Sequence, residues 1–314
     1  MRIIKPSFEI WDQEKGLEGI YKQIERCGRV CYASDPIEGK AKDFVDRMIK
    51  LGHGAMLEHG TVYLKIPFGK MLDNGEFENE ALACWFVDNP YSWVKIGGVG
   101  TEDCWYVTSN YRVLIEKNLL YTLQYLCEPT KYHEKRVTVH FTTQIAITRE
   151  FNRHRVNSMA EQSTRYCNYG KDKFGGVGIN LPSWIGENEL TEEKLKYQTN
   201  IAIPNDEFGT LYERETYLWR AIDWWLWANA CAELAYLNLL RLGWTPQQAR
   251  TVLPLDTNTE LIHTAFVSDW KHFFELRDDK QHTHPDAYGL AHPLHMEFLR
   301  RGYITDLYNE ANPD

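Results

Sequence analysis

No apolar run in the 314-residue sequence approaches the roughly 20 residues that a membrane-spanning helix needs, so no transmembrane span is expected. The opening residues, MRIIKPSFEIWDQEKG, contain neither an apolar core nor a cleavage site and predict no secretion signal. Positive charge is also short. Lys and Arg number 35 against 44 Asp and Glu, a net charge of −9, which argues against general binding to nucleic acid or a membrane surface. The seven cysteines (Cys27, Cys31, Cys84, Cys104, Cys127, Cys167 and Cys231) form no CxxC pair and no disulfide-framework spacing. That is the pattern of thiols in a reducing cytosol, so a cytoplasmic protein is expected. No internal repeat or low-complexity linker divides the chain. The run Gly97-Gly98-Val99-Gly100 lacks the GxGxxG spacing and predicts a loop, not a phosphate cradle.

What is present suits a single domain over residues 1–314 with a sizeable core. Residues 2–10 alternate and predict an opening strand. Leu17, Ile20, Ile24 and Cys27 recur at helical spacing within 15–32. A second helix is expected over 39–51, closed by Gly52, and a strand over 61–66. Residues 105–116 predict a strand and 118–126 a helix. Residues 136–141 predict another strand, 142–152 a helix, and 156–162 and 170–186 loops. The stretch 206–242 is rich in Leu, Ala and Trp, including Trp219, Trp224, Trp225 and Trp227. It predicts a long apolar helix, possibly broken once, apolar on nearly every side and lying in a core or subunit interface. Thr245 is placed as an N-cap with Pro246 at the first helical position, and Pro254 ends that element. A helix is expected at 268–277 and a last one after His284.

The densest chemistry lies between residues 149 and 169. Arg149, Arg153, His154, Arg155 and Arg165 alternate there with Glu150, Glu161, Gln162 and Ser163. Guanidinium forks bind phosphate or carboxylate bidentately, so such a cluster in an acidic chain suits an anionic ligand. A solvated, salt-bridged face is the alternative. His53, Glu58 and His59 match no zincin spacing, because two His at i and i+4 are needed to share a helix face. A structural or ligand-stacking role is expected for these histidines. Arg112 is expected in an ordinary surface ion pair. His282, His284, His292 and His295 could be imagined around a metal, but none is expected. Ser163 has no adjacent base aimed at it and is expected to bind, not attack.

Arg153-His154-Arg155, then seven residues, then Ser163-Thr164-Arg165-Tyr166 preceded by Glu161-Gln162, resembles the signature of the flavin-dependent thymidylate synthases. Two further stretches agree: Ala249-Arg250-Thr251-Val252-Leu253-Pro254, and the helix ending Phe273-Phe274-Glu275-Leu276-Arg277. The resemblance covers roughly 15–66, 136–170 and 245–300, and it leaves 69–135 as an insertion. It implies an α+β fold, an antiparallel sheet flanked by helices, and a homotetramer with shared active sites. It implies reductive methylation of dUMP to dTMP, with methylenetetrahydrofolate as carbon donor and NADPH as reductant through bound FAD. Carried over by position, dUMP would be held by Glu150, Arg153, Glu161, Gln162, Ser163, Thr164, Arg165, Arg250 and Arg277. FAD would meet His59, Thr61, Arg153, His154, Arg155, Glu161 and His272. The resemblance puts Arg277 at the pyrimidine as the catalytic cation. An arginine cannot act as a base at neutral pH, so its work would be charge stabilisation at a developing oxyanion. Three positions depart from the family pattern: Cys31 stands in place of a flavin-contacting Ser, Glu150 in place of Gln, and Phe266 in place of Asn. Two other classes remain open, a non-catalytic nucleotide- or flavin-binding relative and a metal-dependent nucleotide hydrolase.

Overall fold

The computed structural model describes residues 1–98, 103–186, 189–190 and 219–305. The first half supplies β1 (Arg2–Ile4), β2 (Ser7–Trp11), α1 (Gly16–Val30), α2 (Ala41–Lys50), α3 (Gly54–Leu57) and β3 (Thr61–Pro67). Then come α4 (Glu80–Val87), β4 (Trp93–Gly97), β5 (Cys104–Asn110), α5 (Tyr111–Glu116), β6 (Arg136–Gln144) and α6 (Ile145–Phe151). The second half adds β7 (Ser158–Glu161), β8 (Gly178–Asn180), α7 (Ala221–Arg241), α8 (Pro246–Ala249), β9 (Asn258–Phe266), α9 (Val267–Arg277) and α10 (Pro285–Arg300).

The main sheet is antiparallel, in the order β2-β6-β9-β7. β9 sits inside it, and successive side chains serve opposite faces. Leu261 and Ala265 join Val137, Val139 and Phe141 in a core completed by Phe151, Trp270, Phe273, Leu290 and Phe298 from α6, α9 and α10. Ile262 turns the other way, to Trp11, Cys27, Val30 and Ala160 beneath α1. On that face Thr264 Oγ1 bonds both Thr138 Oγ1 and His59 Nδ1, each at 2.8 Å. The sheet is therefore layered between helices, and a polar seam of Thr138, Thr264 and His59 runs along that face.

A second antiparallel sheet, β3-β5-β4, packs its buried residues against α1 and α2. Gly28 lets those two helices approach, since a Cβ there would lie 2.7 Å from the Phe44 ring. β1 and β8 form a separate parallel pair.

Several elements differ from the sequence-based expectation. The mixed α/β architecture with antiparallel sheets flanked by helices is present, but the expected single sheet is two, plus the parallel pair. Within 69–135, β4 and β5 extend the sheet that starts with β3. The strand expected over 105–116 ends at Asn110, whose side chain accepts from Val113 N–H and starts α5. Residues 120–125 are 3-10 helix. β6 runs on to Gln144, and the expected loop at 156–162 contains β7. The loop expected at 170–186 contains β8, which closes onto β1. The long helix is α7, with Asp223, Asn229, Glu233 and Asn238 among its apolar residues, so it is not apolar on every side. Tyr236 of α7 packs with Tyr169, Phe174 and Ile179, while Trp224 is 47% exposed. Residues 206–218 of that predicted stretch lie outside the described residues. No described helix is long and apolar enough to cross a membrane.

Candidate active site

The C-terminal ends of α6 and α9 meet. α6 closes in a tight turn, with Arg153 N–H donating to Glu150 O and His154 N–H to Phe151 O. That turn brings Glu150, Arg153 and His154 beside Arg277, the last residue of α9. Arg277 donates Nη1 to Glu150 Oε2 at 3.1 Å, Nη2 to Glu150 O at 2.9 Å, and Nε to His154 Nε2 at 3.2 Å. Burial, then the charges of Arg277 and His272, hold the His154 imidazole down to about 4. A neutral ring is what an acceptor at Nε2 requires. Phe273 packs on that ring at 4.9 Å. Burial lowers the Arg277 guanidinium, Glu150 opposes the shift, and Arg153 reinforces it. Glu150 is thus the pairing partner of a half-buried cation.

The side chains of Arg153 and Arg155 project from the same turn, exposed and without a hydrogen-bond or ion-pair partner among the described residues. His272 is exposed nearby, its ring 6.0 Å from His154 and its Nδ1 3.1 Å from Glu275.

A second group gathers the other arginines. Ser163 N–H donates to Cys31 O at 3.0 Å, and Ser163 Oγ accepts from Arg165 N–H at 3.2 Å. The capping box of Thr245 and Gln248 starts α8, which supplies Gln247 and leads to Arg250. Arg165 Nε then donates to Gln247 Oε1, and Arg250 Nη1 to Thr164 Oγ1, both at 3.1 Å. Neither guanidinium has a carboxylate within ion-pair distance among the described residues. Two adjacent cations with only neutral partners are disposed to take an anion.

Glu161 and Gln162 link the two groups. Glu161 accepts from Thr148 Oγ1 at 2.8 Å and from Asn152 Nδ2 at 3.1 Å, tying β7 to α6. Gln162 is buried, with its N–H on Glu260 O. The sequence reading missed Thr148, Asn152 and Gln247. The four-residue spacing of Thr148 and Asn152 on one helical face was the only available signal.

His59 and Thr61 are not brought to either arginine group. His59 is fully buried, its Nδ1 2.8 Å from Thr264 Oγ1. Thr61 Oγ1 accepts from the buried Arg136, which also donates to Glu58 O and Ser158 Oγ. Thr61 and Arg136 line a cavity of about 190 Å³. Cys31 gives its carbonyl to the motif loop, and burial pushes its thiol up to about 11. Phe266 lies under the Arg136 guanidinium at 5.5 Å. Arg112 pairs with Glu58 and Glu116, as expected. His292 and His295 both bond Asp278, and His282 bonds Asp279. Among the described residues no three His, Cys, Asp or Glu side chains form a group able to hold a metal.

The family model of the thymidylate synthase complementing proteins matches residues 132–299, more than half of the chain. The chain belongs to that family. Both arginine groups fall inside the family stretch, whereas Cys31, His59 and Thr61 precede it. Among curated relatives, a flavin-dependent thymidylate synthase of Thermosipho melanesiensis is 29% identical over 164 residues, 52% of this chain and 63% of the relative. The Thermosipho africanus protein of that name is 28% identical over 164 residues, 52% of this chain and 64% of its own. The chain thus matches a little under two thirds of these relatives' length. Among solved structures, a UMP/dUMP methylase PolB from Streptomyces cacaoi bound with 5-Br dUMP aligns over 96% of this chain and 93% of its own. The sequence identity is 16% and the TM-score 0.41.

Proposed function

We propose that this chain is a flavin-dependent thymidylate synthase that methylates dUMP at C5 to give dTMP. The observation that carries the reading is the Arg277 guanidinium, half-buried and fixed on three atoms, beside Arg153 and Arg155, whose side chains have no partner among the described residues. The names of the curated relatives agree with it.

Uracil C5 is a weak nucleophile unless charge flows into the ring. A cysteine adding at C6 would supply that charge, but burial raises the Cys27, Cys31 and Cys127 thiols and so disfavours their thiolates. Arg277 offers the other route, a fixed cation at the N3/O2 edge where negative charge develops. His154 and Glu150 hold it without needing to reorganise during reaction. Arg165 and Arg250, with Ser163 and Thr164, suit the nucleotide phosphate. Glu161 and Gln162 complete the nucleotide contacts in this reading. Arg153 and Arg155, with His154, Glu161 and His272, fit the diphosphate and ring edge of FAD. When bound, the flavin would relay hydride from NADPH to the carbon delivered by methylenetetrahydrofolate.

The two arginine groups suit one substrate if they are joined across subunits, so a homotetramer with shared sites belongs to the proposal. So does a single domain over 1–314 with 69–135 as an insertion, in a cytoplasmic protein. The deciding experiment incubates the FAD-loaded protein with dUMP, methylenetetrahydrofolate and NADPH and identifies the product. We expect dTMP from the wild type and almost none from Arg277→Ala, which should still hold FAD. Absence of dTMP from the wild type would overturn the reading.

A further inference from the structure

Arg277 is held at its guanidinium end by Glu150 and His154, and a separate device holds its backbone end. The next residue, Asp278, caps α9, its N–H donating to Phe274 O at 2.8 Å. Its carboxylate reaches across to α10, where Oδ1 accepts from His292 Nδ1 at 2.8 Å and Oδ2 from His295 Nδ1 at 2.7 Å. The carboxylate is 11% exposed. His295 also stacks on Phe274, one turn before Arg277, at 4.5 Å and 11°. Tyr288 stacks on His292 at 5.2 Å and 15°. Both oxygens of one carboxylate and a ring on the same helical turn therefore fix the residue pair 277–278 against α10.

We propose that Asp278, His292 and His295 are positioning residues that set the placement of the Arg277 guanidinium. The reason is mechanical. Arg277 lies in the last turn of α9, and a helix end has no further turn to restrain it. Its long side chain would sweep with any movement of that end. Stabilising a developing charge depends on donor placement to within about half an ångström. The clamp fixes one end of the side chain, and His154 with Glu150 fixes the other.

The inference rests on the functional reading for its kinetic consequence but not for its structural one, and the test separates the two. The Nε–H of Arg277, which donates to His154, is followed by nitrogen-15 NMR and assigned by its loss in Arg277→Ala. Its exchange rate with solvent is measured alongside kcat and KM for dUMP. We expect His292→Ala and His295→Ala each to speed that exchange and lower kcat about tenfold, with KM for dUMP little changed. His292→Asn and His295→Asn, whose amide places a donor where Nδ1 was, should restore both. Asp278→Asn, which removes one acceptor, should fall between. His292 is 45% exposed as a side chain, so at least its substitution leaves a folded protein to measure. If the alanine variants melt earlier but keep wild-type exchange and kcat, the clamp only docks two helices and the inference fails. If the wild type makes no dTMP, the functional reading fails, and the exchange rates alone decide the clamp.

Discussion

Arg277 donates its Nε–H to Nε2 of His154 at 3.2 Å, a bond that lasts only while that ring nitrogen is unprotonated. Protonation would turn an acceptor into a second cation facing the first. The ring is held down to about 4, so the acid limb of turnover should lie well below the ordinary histidine value. In a pH–rate profile, activity should persist as pH falls through 6.5 and collapse only toward 4. A His154→Gln enzyme, which keeps a neutral acceptor, should lose that limb. An acid limb centred near 6.5 would count against this role for His154.

Stability should follow a related pattern. Burial holds His59 down to about 3, with Arg136 adding to the shift, and burial holds His263 down to about 3, with His154 and His59 adding. Above about 6.5 both rings are neutral in folded and unfolded chains alike. Between 6.5 and 3 only the unfolded chain takes up protons, so stability is lost as pH falls, by up to about 1.4 kcal/mol per pH unit for each ring. Urea unfolding at pH 7, 6 and 5 should show the midpoint dropping. His263→Leu should flatten the slope, whatever it does to the midpoint at pH 7.

Arg165 and Arg250 bind only neutral acceptors within the described chain. If they grip the nucleotide phosphate, alanine at either should raise KM for dUMP about 10–100-fold, the equivalent of one lost charge-assisted bond, with little change in kcat. The corresponding deoxynucleoside, lacking the phosphate, should not distinguish the variants from the wild type. Equal losses with both substrates would place these arginines elsewhere.

Gly28 of α1 faces the Phe44 ring of α2 with no room for a side chain. A Cβ there would sit 2.7 Å from that ring. Helix propensity favours alanine by about 1 kcal/mol. Overpacking a tight helix contact costs about 1–3 kcal/mol. Gly28→Ala should therefore destabilise by up to about 2 kcal/mol in denaturant titration, and Phe44→Leu in the same chain should recover part of it.

Elements with a clean helical stripe were legible in the sequence. α1, α2, α9 and α10 fall close to their expected spans because apolar spacing and terminal signals agree. β9 carries no such signal. Its Thr259, His263 and Thr264 are fully buried, and a polar residue paired inside a sheet looks like a surface residue on paper. β7 is four residues long with one strand partner, too short to show alternation. The site residues were legible through motif spacing, but their grouping was not. Only the coordinates show that Arg277 meets Glu150 and His154 while Arg165 meets Gln247. The His59 segment predicts a strand entry without showing that its ring would meet Thr264.

The pairing of β6 with β9 has a temporal side. Arg136 lies opposite Phe266 and Gln144 opposite Asn258, so the inner seam of the main sheet closes over a very long loop. On a translating ribosome β6 and the arginine turn after it emerge on the order of ten seconds before β9. Through that interval the nascent chain shows an unpaired apolar strand edge, and the cationic cluster lacks the scaffold that arranges it.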